Sequence, residues 1–180
     1  LTDFDPDAQC GANFTFRDII EAGETWHRVR VDNMPRQPGT IDAMRTLAEL
    51  VLDPVTAKFG PLRITYGFAS LSLTRLVDGR IDPSRDQHAG HELRSDGTFI
   101  CPRLGQAVDI RVEGSSSGRV TSWIAANLPF DRIYFYGNER PLHVSVGPQN
   151  TRALISMLPG PSGRRIPAVR DRAWFERHFG

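Results

Sequence analysis

The sequence predicts an α+β fold in one domain: an antiparallel sheet with helices packed on one side. Three observations carry that expectation. The 180 residues suffice for one sizeable core and are short for two. Apolar positions recur at helical spacing in some segments and alternate in others. The two kinds of segment are mixed, without the regular βαβ alternation of a parallel sheet. A hydrophobic content of 39% with 13 Pro and 16 Gly describes a turn-rich globular chain, not a disordered one.

Residues 1–13 are polar and acidic and read as a loose N-terminal arm. A chain that opens on Leu1 reads as a processed or trimmed product, which leaves cell envelope and cytoplasm both open. In 14–22 (FTFRDIIEA), Phe16, Ile19 and Ile20 fall at helical spacing, and Gly23 ends the helix. A Pro/Gly linker follows over 33–39. The clearest helix covers 40–59, with Thr40 as N-cap and Asp42 in the first turn. Its apolar face is Ile41, Met44, Leu47 and Val51, and Pro54 predicts a kink or break.

Residues 62–68 read as a strand and 70–77 as a short helix or turn. The stretch 79–104 has little periodicity and is too long for a mere connection. Strand 106–113 places Ala107, Asp109 and Arg111 on one face and Val108, Ile110 and Val112 on the other. Ser115 to Ser117 cap a helix running to Asn127. Strands follow over 132–136, 142–146 and 151–158, and a terminal helix over 173–178. The main domain is thus 14–158. The Pro-, Gly- and Arg-rich 159–180 reads as an exposed C-terminal extension, with Trp174 and Phe175 able to fold back onto the core.

A net charge of +1, with no basic run longer than Arg164-Arg165, argues against a nucleic-acid partner. No apolar run approaches the ~18–20 residues of a membrane span. Lys58 is the only lysine; every other basic residue is arginine, which grips carboxylate or phosphate by a bidentate fork. Cys10 and Cys101 permit one bridge and no disulfide framework.

Chemistry concentrates around the histidines. Asp109 interrupts an apolar strand, and burying an unpaired carboxylate is costly. A metal ion or an arginine would remove that cost. His143 lies in the strand LHVSV on the same face as Ser145, and His88 and His91 sit in the polar loop before the Asp109 strand. Two histidines, an aspartate and an open fourth position make a catalytic zinc site. Spacing alone leaves the other reading open, with Asp109 paired to an arginine and His143 a hydrogen-bonded core residue.

The pieces FTFRDI, VDNMP, LAELVLDPV, FGPLRITYGF, DQH, GQAVDIRV, LPFDRIYF and LHVSVG run in that order along the chain. In that order they resemble the M15 zinc D-alanyl-D-alanine carboxypeptidase group, the Hedgehog-like metallopeptidase fold, over residues 14–146. The resemblance implies Zn2+ held by His88, Asp109 and His143, and hydrolysis of a short peptide or peptidoglycan stem peptide. It also implies a carboxylate base shortly before the last histidine. Glu139 is the nearby glutamate, while Asp131 reads as structural.

Besides the base, the chain departs from the family in two further places. The family's first histidine lies seven residues before its aspartate, whereas His88 and Asp109 are 21 apart. His91 and, more remotely, Cys101 are rivals for that ligand. The added loop is expected over the cleft, where it would select substrate. The family's Gly-Tyr-Arg-Ser reads Gly67-Phe68-Ala69-Ser70 here, so Ala69 stands where the resemblance expects a substrate-binding arginine. Arg75 and Arg85 are the arginines considered in its stead. These departures motivate a second expectation, a catalytically altered domain that binds peptide, glycan or protein.

Overall fold

The computed structural model describes residues 4–78 and 82–179. Helix α1 (Phe16–Ile20) starts in a capping box: Thr15 Oγ1 accepts the Asp18 N–H, and the Asp18 carboxylate accepts the Thr15 N–H. It buries Phe16, Ile19 and Ile20. Helix α2 (Glu24–Val29), a stretch to which the sequence pattern assigns no element, follows Gly23 and buries Trp26.

The long predicted helix is a chain of three segments. Helix α3 (Pro38–Leu47) begins two residues earlier than Thr40, with Pro38 in its first turn, where its missing N–H leaves no bond unmade. A π-helical turn (Ala48–Leu52) follows, then α4 (Asp53–Phe59). Pro54 explains the wide turn. Its ring would crowd the Leu50 carbonyl in a regular helix. The Asp53 N–H instead reaches five residues back to the Ala48 carbonyl.

Six strands form one sheet: β1 (Leu62–Tyr66), β2 (Gln106–Val112), β3 (Arg132–Phe135), β4 (Leu142–Val146), β5 (Ala153–Pro159) and β6 (Arg165–Arg170). Their spatial order is β1-β2-β4-β3-β5-β6. The sheet is mixed, not purely antiparallel, because β3 and β5 run parallel. The reason is the crowding of β4, whose two edges are taken by β2 and β3. The short connection after Val146 therefore passes across the end of β3. It enters β5 antiparallel to β4 and so parallel to β3.

One face of the sheet carries Val108, Ile110, Ile133, Phe135, Leu142 and Val144 into a single core with α1, α3, the π turn, α6 (Ser117–Asn127) and α7 (Arg172–Phe179). Short helix α5 (Leu71–Thr74) completes the helical set. Residues 159–179 are no loose extension: they supply edge strand β6, and α7 seats Phe175 at 0% exposure against Phe135. Residues 4–13 are also tied down. Cys10 is buried, Gln9 bridges Thr15, and the Ala12 and Asn13 N–H groups donate to Asp53. Cys10 and Cys101 are separate buried thiols, not a bridge. Among the described residues no helix is long and apolar enough to cross a membrane.

Candidate metal centre and its groove

The face of the sheet opposite the core floors an open groove of about 1120 Å³. Strand register lays one row of residues across that face. Tyr66 pairs with Asp109, Asp109 with His143, His143 with Tyr134, and Tyr134 with Ile155. A bulge between Ile64 and Tyr66 turns the Tyr66 side onto this face while Ile64 stays toward the core. Period-two alternation does the rest: Asp109 and His143 leave the sheet on the side away from Ile110 and Val144.

His88 arrives from outside the sheet. It sits on a 3₁₀ turn (Gln87–Ala89) whose N-cap, Asp86, accepts the His88 N–H. The turn is held from below by Gln87, which is buried. Gln87 Nε2 donates to the Leu104 carbonyl and to Asp131 Oδ2, and Gln87 Oε1 accepts the Ser145 hydroxyl at 2.8 Å. Asp131 also accepts from the Thr151 N–H and hydroxyl, so its role is structural, as its sequence context suggests.

His88 Nε2 lies 3.2 Å from His143 Nδ1 and 3.4 Å from Asp109 Oδ1, and His143 Nδ1 lies 2.9 Å from Asp109 Oδ1. Ligands at ~2.0–2.1 Å from a shared tetrahedral centre stand about 3.3 Å apart, so this triangle has the size a metal ion requires. The side chains are largely enclosed, His88 at 3% and His143 at 8% exposure. His88 Nδ1 lies 2.7 Å from the Gly67 carbonyl, which can only accept. That fixes the hydrogen on Nδ1 and leaves the Nε2 lone pair facing the other two donors. Gly67 has no substitute here, since a Cβ would meet the Ile19 carbonyl at 2.0 Å. The rings of Tyr66 and Tyr134 pack on His88 and His143 at 4.3 and 5.1 Å between centroids. The buried His88, Asp109 and His143 cluster could therefore hold a metal ion.

Electrostatics fit a cation. Burial works against the Asp109 carboxylate, but hydrogen bonds from His143 and His88 hold it well below the ordinary carboxylate range. Burial likewise opposes charge on His88. The Asp86 and Asp109 carboxylates outweigh this and raise it to about 8. Burial pushes the Tyr66 and Tyr136 phenols up, with Asp109 adding in both.

The rival ligands lie elsewhere. His91 Nε2 accepts the Gly105 N–H at 3.0 Å, and burial lowers its basicity. Cys101 packs with Ala89 and Ile100. The added loop does not cover the groove, and none of residues 89–104 lines it. It folds instead against the start of α3, where Glu92 accepts from the Arg36 and Gln37 N–H groups and the Thr40 hydroxyl. Its two ends meet, because the Ala69 N–H and Gln106 Nε2 both reach the His88 carbonyl.

Glu139, on the turn between β3 and β4, and Arg85 line the groove with the three donors. Both are exposed, and Arg85 lies 3.6 Å from Asp82. Arg75, exposed at the C-cap of α5, is not among the described residues lining the groove. Ala69 is 1% exposed and packs with Trp26 and Leu73. Sequence reasoning did not single out Tyr66, Tyr134, Tyr136 or Gln87. The alternation of RIYFY puts Tyr134 and Tyr136 on one face, but strict alternation in RITY would put Tyr66 with Ile64 toward the core; only the bulge and the fold bring the tyrosines to the histidines. Compared with protein-family models, curated proteins and solved structures, the chain finds no match.

Proposed function

We propose that the chain is a zinc-dependent hydrolase of peptide or amide bonds, acting on a short peptide or a peptidoglycan stem peptide. The observation that carries this reading is the convergence of His88 Nε2, Asp109 Oδ1 and His143 Nδ1 within 3.4 Å of one another on the floor of a groove. Two imidazoles and a carboxylate suit zinc and leave a fourth position for a reactant. The resemblance to the zinc D-alanyl-D-alanine carboxypeptidase group supports the same reading. When bound, zinc supplies Lewis acidity, polarising a carbonyl and lowering the pKa of water toward ~7.

The chain's own residues do the rest. The groove between α2 and the β3–β4 turn holds the peptide extended over the sheet face. Glu139 takes a proton from the attacking water, whose oxygen bonds to the scissile carbonyl carbon. As the C–N bond breaks, Glu139 returns that proton to the leaving amine. The Gly67 carbonyl holds the His88 ring in register throughout.

A second reading is a domain of this kind that binds peptide, glycan or protein without turning it over. It is favoured by Ala69, an apolar residue where the resemblance expects the arginine that steadies the oxyanion. Elemental mass spectrometry of the untagged chain, followed by incubation of the zinc-loaded protein with peptides and muropeptides, separates the two. Stoichiometric zinc with cleavage supports the hydrolase. Stoichiometric zinc with tight binding and intact peptide supports the binding domain. Failure to take up zinc after reconstitution ends the zinc reading.

A further inference from the structure

Two strand positions along from the metal row, the same sheet face carries an unusual pair. Arg63 on β1 and Arg111 on β2 are direct cross-strand partners, both exposed and both lining the groove. Directly opposed side chains start about 5 Å apart, and like charges placed so destabilise a sheet. Several arginines elsewhere in the chain have a partner for their charge. Arg17, Arg36, Arg45 and Arg172 each meet a carboxylate, and Arg30, Arg152 and Arg170 lie over aromatic rings. Among the described residues, neither Arg63 nor Arg111 has a carboxylate within ion-pair distance. Among the described residues the Arg111 guanidinium donates only to the Glu139 backbone carbonyl, and the Arg63 guanidinium has no hydrogen-bond partner. The carboxylates that line the groove thus leave this pair free.

We propose that Arg63 and Arg111 form an oxyanion subsite that grips a carboxylate or phosphate group of the ligand bound across the metal centre. At 3.3–3.4 Å per strand residue, the pair stands about 7 Å along β2 from Asp109, a span of two peptide residues. Two guanidinium forks offer parallel donors that a single oxyanion accepts from both sides, and that anion removes the repulsion between them. The subsite takes over the anchoring that Ala69 does not provide. It rests on the hydrolase reading only for the position of the scissile bond; as a binding site it stands without turnover.

The test is a titration of the zinc-loaded full chain with a short peptide ending in a free carboxylate and with the same peptide amidated, with inorganic phosphate as competitor. Wild type is compared with Arg63→Gln, Arg111→Gln and the double variant, each checked for zinc content and melting temperature. The expected result is at least tenfold tighter binding of the free-carboxylate peptide by wild type. That preference falls below twofold in the double variant at unchanged zinc content. Phosphate competing in wild type but not in the double variant, with both peptides bound alike, assigns the subsite to a phosphate group. Equal binding of all three probes by wild type and double variant overturns the proposal. Variants that fail to fold are replaced by Arg63→Lys and Arg111→Lys, which keep the charge, lose the fork, and are expected to give an intermediate preference. Peptide bound in an Arg-dependent way yet never cleaved sinks the hydrolase and leaves the subsite standing; cleavage indifferent to both arginines does the reverse.

Discussion

Asp109 and His143 are paired across β2 and β4, and their side chains meet at 2.9 Å between Oδ1 and Nδ1. They are 34 residues apart in the chain, so nothing local brings them together. Their meeting depends on register, and a slip of one residue between the strands would turn one of the two toward the core. Asp109→Asn and His143→Ala are accordingly expected to lose most bound zinc while keeping the fold. His88→Ala is expected to do the same, and His91→Ala to keep its zinc, since His91 serves the Gly105 N–H instead. Elemental mass spectrometry of the four variants reads this directly, and zinc retained by Asp109→Asn would refute the triad.

Gln87 is a positioning residue for this centre. Gln87→Ala removes the amide donor from buried Asp131 Oδ2 and from the Leu104 carbonyl, while the Ser145 hydroxyl keeps only the Arg132 backbone as partner. Each buried group left unsatisfied costs roughly 1–3 kcal/mol. Because the same side chain ties the His88 turn to the strand of His143, zinc affinity is expected to fall roughly 10- to 100-fold. A competitive zinc titration beside a urea melt separates the two effects. A variant that is less stable but binds zinc within twofold of wild type would show Gln87 to be structural only.

The metal-free protein should carry a characteristic pH dependence. His88 is raised from 6.5 to about 8, so its contribution to stability is full below pH 6.5 and is lost as pH rises through 8. Asp109 lies below its ordinary 3.8, so its contribution is present above that value and is lost as pH falls further. Between them they place the best stability of the chelator-treated protein between about pH 4 and 6.5. Zinc needs neutral His88, so its affinity should climb through pH 8 where the metal-free fold weakens. Thermal melts with and without chelator across pH 4–9 test this, and a melting temperature for the metal-free protein that rises from pH 6.5 to 8 contradicts it.

Phe175 tests the C-terminal helix. It is fully enclosed and meets the Phe135 ring edge-on at 5.5 Å between centroids. Phe175→Ala is expected to cost about 3–5 kcal/mol, the usual range for a large aromatic removed from a core. Denaturant unfolding reads it, and a loss under 0.5 kcal/mol would mean that α7 does not belong to the core.

What could be seen in the sequence was what local pattern encodes. QAVDIRV and LHVSV alternate cleanly, so strands β2 and β4 and the outward face of Asp109 were legible. The register that joins them was not, because it is a long-range property. Helix α2 offers only Trp26 as a buried residue in six, too little for periodicity. Strand β6 (RIPAVR) carries Pro167 and exposes Ile166 and Val169 on a sheet edge, which reads as loop. The parallel β3–β5 pair follows from the occupancy of the edges of β4, a fact about neighbours. From sequence, His88 stands ahead of His91 only through the resemblance; in the fold the choice follows from His91 Nε2 already accepting the Gly105 N–H.

The excursion from His88 to Gln106 begins and ends at the same spot, where the His88 carbonyl is held by Ala69 and Gln106. A detour that closes on itself leaves the distance between its ends independent of its length. The count of residues between the first histidine and the aspartate is therefore a free parameter of this centre. A search pattern with a rigid gap will pass over chains built this way. One that treats the histidine turn and the Gly-x-Ala-x-Asp strand as two separate words will find them. The detour is equally a place to graft: its tip, around Asp96 and Gly97, can be lengthened or replaced with the three donor atoms undisturbed.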